Sequence, residues 1–233
     1  MRDLCNYCNK EYKKREKKRK FCSITCANRF NLNGSHKITL PIFNSQLAEF
    51  IGICLGDGST GVYQIGITLN ARADIDYIPY VYRLSQTLFP GAGVALVQRK
   101  DNAVDVRITS KTVVLFLKEN GIIAHAKYVP EWIKQNAIFT HACIRGLFDT
   151  EGSVSKKMYV SKTGLRTYYQ LNFRNTNKKI MLFVRDGLLA IGLSPTTSLA
   201  NSLYLSNPSS ISTFRSRIGF SNPKLVEKCS TIA

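Results

Sequence analysis

Two short segments place an acid at the same point of the same pattern. Phe50-Ile51-Gly52-Ile53-Cys54-Leu55-Gly56-Asp57-Gly58-Ser59 and Ile144-Arg145-Gly146-Leu147-Phe148-Asp149-Thr150-Glu151-Gly152-Ser153 are each an apolar run holding a glycine, then an acid, then Gly-Ser. Asp57 and Glu151 are equivalent and lie 94 residues apart. A repeat of that length is one small domain, so the chain reads as a fused duplicate with one acid per half. Gly52 and Gly56 are spaced i, i+4, and Gly146 and Thr150 match them. Small residues at that spacing let two helices approach closely. Packed side by side on Gly52 and Gly146, the two helices would bring Asp57 and Glu151 together at their C-terminal ends, where the macrodipole is already negative. Two carboxylates that close repel unless a cation intervenes. Oxygen ligands select hard Mg2+ or Ca2+, and two acids with bound metal beside a phosphodiester make a hydrolytic site. Either acid alone would be an ordinary turn after a helix; the weight comes from two in matched positions.

A second constellation is Cys5-x2-Cys8 followed, thirteen residues on, by Cys22-x3-Cys26. Four thiolates in two close pairs fit a tetrahedral Zn2+ site, in which the metal replaces a core too small to fold alone. Between the pairs runs Lys13-Lys14-Arg15-Glu16-Lys17-Lys18-Arg19-Lys20, and residues 1–37 hold 11 basic against 3 acidic residues. The run is too unpatterned to read a base sequence and suits phosphates. Phe21-Cys22-Ser23 followed by Cys26-Ala27-Asn28 resembles small treble-clef zinc fingers found beside DNA-mobility enzymes. Cys54 and Cys143 sit in apolar runs and are expected to pack as small hydrophobes. Cys229 has no nearby His, and His36, His125 and His141 form no ligand spacing, so the histidines read as structural or surface residues.

The whole chain carries +18 over 233 residues, which implies a polyanionic partner, most simply nucleic acid. The N-terminus is polar and basic with no apolar h-region, and no run approaches a membrane span. An odd count of seven Cys points to free or metal-bound thiols in a reducing, intracellular compartment rather than to disulfides.

The elements that must position the acids repeat in order. The first half, 38–129, predicts a helix at 45–56, a strand at 61–70, a helix near 77–89 with Pro79 in its first turn, strands at 93–99 and 103–109 about an Asp101-Asn102 turn, and a helix near 111–120 ending at Gly121. The second half, 130–233, predicts a helix near 138–150, a hairpin around Thr163-Gly164, a helix near 177–191, strands near 195–199 and 202–206, and a helix near 209–218. This is α+β: two pseudo-symmetric αββαββα halves, each with a four-stranded antiparallel sheet, behind a small zinc-binding arm. Gly56 and Gly58 read as a helix stop. Along the strand at 165–174, Leu165, Thr167, Tyr169, Leu171 and Phe173 face one way and Arg166, Tyr168, Gln170, Asn172 and Arg174 the other. That polar face lacks acids and carries side chains that read base edges and phosphates.

On these motifs, over roughly residues 40–220, the chain resembles the LAGLIDADG homing endonucleases. The resemblance implies motif helices at the interface between halves and saddle-like sheets straddling the DNA major groove. It implies that Asp57 and Glu151 bind catalytic Mg2+ (Ca2+ binding without cleavage), helped by the carbonyls of Gly56 and Thr150. It implies cutting of both strands across the minor groove to leave 3′ overhangs, in a monomer, with the intron or intein that encodes it being spread. DNA contacts are expected from Gln64, Thr68, Asn70, Arg107, Lys156, Lys157, Arg166, Tyr168, Gln170, Asn172 and Arg174. Asn70, Lys156, Lys157 and Arg174 are the candidates to organise water at the metals. The chain departs from the family pattern at Leu55, where the second motif has Asp149. A non-cutting binder on the same fold, such as an intron maturase or a transcription regulator, is the alternative; a structural zinc protein that binds RNA is a third.

Overall fold

The computed structural model describes residues 2–6, 8–14, 19–27, 38–161, 164–198 and 201–230. Arg15 to Lys18 of the basic run, Asn28, His36 and the turn residue Thr163 lie outside them. The chain divides into two compact units, Met1–Thr39 and Leu40–Ala233, a boundary two residues beyond the one read from sequence. In the first unit, β1 (Arg2–Leu4) pairs antiparallel with β2 (Glu11–Lys13).

The second unit is built on two helices that touch through backbone. Asn44 caps α1 (Ser45–Asp57) by accepting from Leu47 N at 2.8 Å. After α1 the first half contributes β3 (Gly58–Thr60), β4 (Gln64–Asn70), α2 (Ile78–Leu88), β5 (Gly93–Gln98), β6 (Ala103–Thr109) and α3 (Lys111–Glu119). Pro79 sits in the first turn of α2, where its missing N–H costs nothing, and Asn102 turns the β5–β6 hairpin at φ +56°. The second half adds α4 (Glu131–Lys134), then α5 (Ala137–Glu151), capped by Asn136, and β7 (Gly152–Ser161) and β8 (Gly164–Arg174). It closes with α6 (Lys178–Ala190), β9 (Thr196–Ser198), β10 (Ser202–Leu205), α7 (Pro208–Arg217) and α8 (Pro223–Ser230). The short α4 and the terminal α8 are additions to the elements read from sequence.

α1 and α5 pack along their length, with a near-reciprocal crossing. A Cβ on Gly52 would strike the carbonyl of Cys143, and one on Gly146 would strike the carbonyl of Glu49. Only glycine permits that approach, because what faces it is backbone. The rest of both helices is apolar on nearly every side: Phe50, Ile51, Ile53, Cys54, Cys143, Ile144, Leu147 and Phe148 are all buried. The two thiols therefore pack as expected, and Cys229 is buried as well.

Each half lays one antiparallel four-stranded sheet on this pair, in the orders β3-β4-β6-β5 and β7-β8-β10-β9. Ile65, Ile67, Leu69, Val104, Val106 and Ile108 of the first sheet, and Leu171, Phe173, Leu203 and Leu205 of the second, point into the core. The halves differ in their hairpins. β3 and β4 share three registered pairs, whereas β7 and β8 share ten, from Gly152↔Phe173 to Ser161↔Gly164. Since β10 meets β8 only at 171–174, residues 155–170 form a two-stranded ribbon that overshoots the sheet. Both faces of the ribbon are open: Leu165 is 67% exposed, and Met158 and Val160 on the same face are exposed with it.

Candidate active site at the paired helix ends

The C-terminal ends of α1 and α5 abut. A Cβ on Gly56 would collide with Thr150 Oγ1 and come within 3.1 Å of Glu151 Cγ. Asp57 and Glu151 are thus brought together, each half-buried, as the motif spacing required. α1 runs through Gly56 to Asp57 and stops at Gly58, and α5 stops at Gly152. Gly58 (φ −78°) and Gly152 (φ −86°) are extended, and each returns its N–H to the helix, at Cys54 O and Phe148 O. The chain leaves each acid directly into a strand of its own sheet.

Burial pushes the Asp57 carboxyl up to about 7, with Glu151 and then Asp74 adding like charge and Lys127 and Lys224 opposing. Burial likewise raises Glu151, with Lys127 opposing it. A carboxyl whose pKa is raised by burial and like charge is one that a bound cation would ionise. The donor set of two carboxylates and helix-terminal carbonyls at Gly56 and Thr150 fits a hard divalent ion. The Thr150 hydroxyl folds back on its own helix, bonding Gly146 O and Leu147 O, both at 3.1 Å.

Several groups at this site had no local signal in the sequence. Lys127, in the segment between α3 and α4, donates from Nζ to Leu55 O at 3.0 Å and Gly56 O at 3.1 Å. It shares a cavity with Gly56, Glu151, His125, Asn175 and Asn177, so His125 is a site-lining residue. On the Asp57 side, Asp74 is ion-paired with Lys224, and Asn222 Nδ2 donates to Asp74 Oδ1 at 3.3 Å and to Asp149 O at 3.1 Å. Asp149 itself is buried and accepts from the backbone N–H of Ser221 (3.1 Å) and Asn222 (3.0 Å). It ties the last loop to α5, a structural use with no counterpart at the buried Leu55.

A buried ion pair crosses the two helices. Glu49 Oε2 meets Arg145 Nη2 at 3.0 Å, while Glu49 Oε1 accepts from Tyr80 OH and Ser221 Oγ, both at 2.6 Å. Glu49 is only 3% exposed. Arg145→Met leaves that carboxylate buried without a cation, and is expected to cost about 3 kcal/mol in urea unfolding, whereas Arg145→Lys costs less than half as much.

The expected DNA-contacting residues divide by register. Gln64, Thr68 and Arg107 share the outward face of the first sheet. At its centre sits Asp105, which accepts from Thr68 Oγ1 at 2.9 Å and pairs with Arg107 at 3.2 Å and Arg99 at 3.7 Å; this acid was missed. Lys157, Arg166, Tyr168, Gln170, Asn172 and Arg174 share the outward face of the second sheet, joined by Tyr159, which stands opposite Arg166. Two expectations need correction. Lys156 pairs with Tyr169 and lies on the opposite face, the one that carries Leu171 into the core. Asn70 spends its side-chain oxygen on the N–H groups of Arg72 and Ala73, closing the turn after β4.

In the first unit the four thiols of Cys5, Cys8, Cys22 and Cys26 lie within 4.8 Å of one another. The separations Cys8–Cys22 (3.7 Å), Cys22–Cys26 (3.4 Å) and Cys8–Cys26 (3.8 Å) are close to the roughly 3.8 Å edge of a tetrahedron with Zn–S bonds of about 2.3 Å. The donor set suits Zn2+. Arg19 braces the second pair by donating to the carbonyls of Phe21 and Cys22.

Paired glycine-bearing helices with an acid at each end, flanked by two four-stranded antiparallel sheets, are the architecture of the LAGLIDADG homing endonucleases, and this chain has that fold. Residues 139–219 match the family model described as LAGLIDADG-like domain. The homing endonuclease I-DmoI in complex with DNA and Mn superposes with a TM-score of 0.55 at 20% identity, over 76% of this chain and 97% of that one. The meganuclease I-SmaMI bound to DNA superposes with a TM-score of 0.55 at 11% identity, over 83% and 90%. A curated protein, the replication factor C small subunit of Methanocaldococcus jannaschii, is 25% identical over 193 residues; the match covers 80% of this chain and a tenth of that protein's length. Among the described residues no helix is long and apolar enough to cross a membrane.

Proposed function

We propose that the chain is a sequence-specific, divalent-metal-dependent endonuclease of double-stranded DNA. The observation that carries this reading is the abutment of Asp57 and Glu151 between two sheets whose outward faces are polar and, in the second half, basic. A protein that only binds DNA has no use for two carboxylates forced together at the negative ends of two helices. One acid comes from each half, 38–129 and 130–233, so a single chain supplies both reaction centres, one per strand. It acts as a monomer, hydrolysing one phosphodiester on each strand across the minor groove and leaving 3′ overhangs. The expected biological result is mobility of a host intron or intein.

Asp57 and Glu151, with the carbonyls of Gly56 and Thr150, would hold Mg2+. The bound ion supplies an activated water and steadies the leaving oxygen. The chain's own residues do the rest. The glycine contacts fix the distance between the acids, and Lys127 and Lys224 offset their charge. Lys157, Arg166, Tyr168 and Gln170 on the ribbon, with Gln64, Thr68 and Arg107 on the first sheet, hold phosphates and base edges. The relatives with DNA and metal bound support this reading.

The test is cleavage of a long random DNA library with Mg2+, followed by sequencing of the cut ends. One enriched long motif with 3′ overhangs is the expected result, lost in Asp57→Asn and Glu151→Gln. Tight binding without cutting by the wild type would favour a maturase or regulator.

The N-terminal unit is proposed to hold one Zn2+ on Cys5, Cys8, Cys22 and Cys26 and to add phosphate contacts through its lysines and arginines. Elemental analysis is expected to give one zinc per chain, and Cys22→Ser to lose it. Retention of zinc by Cys22→Ser would reject the assignment.

A further inference from the structure

The last carbonyls of the two motif helices are met by different groups. At the end of α1 an ammonium sits on them: Lys127 Nζ is 3.0 Å from Leu55 O and 3.1 Å from Gly56 O. At the matching place on α5 the donor is a neutral amide, Asn222 Nδ2, which reaches only the earlier carbonyl, Asp149 O, at 3.1 Å. Among the described residues no side chain donates to the carbonyl of Thr150. The lysine on that side, Lys224, is drawn off into an ion pair with Asp74. Lys127 has no such partner: among the described residues no carboxylate lies within 4.0 Å of it. It is also held in place, since its own carbonyl accepts from Asn177 Nδ2 at 2.8 Å.

An ammonium at hydrogen-bond distance from a carbonyl and a divalent cation bonded to the same oxygen at about 2.0–2.5 Å would stand only a few ångströms apart. Inside a half-buried cavity that repulsion is several times stronger than in water. Either the cation stays out or Lys127 swings off.

We propose that the two divalent-cation sites of this protein are unequal, because Lys127 competes with the cation for the Gly56 carbonyl. The inference rests on the proposed reading that the paired acids take divalent metal. The site drawing on Gly56 and Glu151 fills last, and the site drawing on Thr150 and Asp57 fills first. The order of filling makes the chain cut one strand before the other when cation is scarce. Lys127 is a positioning residue here, acting through the carbonyl it covers.

The test is Mn2+ binding to the full, zinc-loaded chain without DNA, read by the loss of the free-ion electron paramagnetic resonance signal. Wild type is expected to show two classes of site at least tenfold apart. Lys127→Met and Lys127→Gln, the latter keeping a neutral donor, tighten the weaker class about tenfold or more. Lys127→Arg keeps the separation. Asp57→Asn removes the tight class and Glu151→Gln the weak one. Two equal sites in the wild type, or a weaker class that neither Lys127→Met nor Lys127→Gln moves, would overturn the proposal. No Mn2+ bound by the wild type would instead overturn the metal reading beneath it. Circular dichroism melts of all five variants identify any that fail to fold, and the two neutral substitutions at Lys127 serve as replicates.

Discussion

Asp57→Asn is expected to abolish double-strand cleavage, by roughly 10^3-fold or more, and at the same time to raise the melting temperature of the metal-free protein at pH 8. The two effects have one cause. The folded protein holds the Asp57 carboxyl near pKa 7, against 3.8 for the exposed group, chiefly by burial and by the Glu151 charge. The folded state therefore binds this proton more tightly than the unfolded state does. Its stability is unaffected by the site below about pH 4, where the carboxyl is protonated in both states. Stability declines as pH rises from about 4 to 7 and stays reduced above that. A shift of that size would correspond to about 4 kcal/mol, and since the acid is only half-buried, about 2 kcal/mol is the realistic cost. Asparagine removes the charge and the cost together. The gain in melting temperature should accordingly vanish near pH 4, and Mg2+ should stabilise the variant less than the wild type, because only the weaker site remains to it. DNA affinity in EDTA should be retained. An Asp57→Asn protein that still cuts, or whose melting curve coincides with the wild type at pH 8, would show that Asp57 is only a turn residue.

The elements and the acids could be read from sequence because their signals are local. The apolar runs around Gly52 and Gly146 specify buried helices, and the matched glycines specify that those helices meet. The strand alternation correctly placed Gln170 and Asn172 on one face and Leu171 and Phe173 on the other, but it could not say where the sheet stops. Leu165 has the pattern of a core residue and is exposed because β10 pairs with β8 only as far as residue 171. Lys156 was legible and was misread: its parity with Val154, opposite buried Leu171, puts it on the inner face. Lys127 was not legible. It reaches Gly56 from 71 residues away along a segment with no periodic pattern, and the Asp74–Lys224 pair spans 150 residues. Lys127 and Asp74 come from connecting segments and Lys224 from the terminal α8, so these charges meet the acids only through the fold and cannot precede it in the reading.

The helix contact itself gives the largest expected loss of stability. Gly52→Val and Gly146→Val are each expected to cost more than about 4 kcal/mol, enough to unfold the second unit or leave it molten. The added atoms would strike the carbonyl of Cys143 and the N–H of Leu147 in one case, and the carbonyl of Glu49 and the N–H of Ile53 in the other. A flexible side chain could turn aside, but main chain cannot without moving the helix. If the helices part, two further contacts go with the packing: the Glu49–Arg145 pair, which spans the same crossing, and the approach of Gly56 to Glu151. Alanine is the sharper probe. In an exposed helix, glycine to alanine gains about 1 kcal/mol; at 52 or 146 the sign should reverse. The double variant Gly52→Ala, Gly146→Ala should cost clearly less than the two single losses together, because helices already separated by one Cβ have room for the second. Additive losses, or a Gly146→Ala protein as stable as the wild type, would mean that the crossing can yield locally and that the distance between Asp57 and Glu151 is set elsewhere.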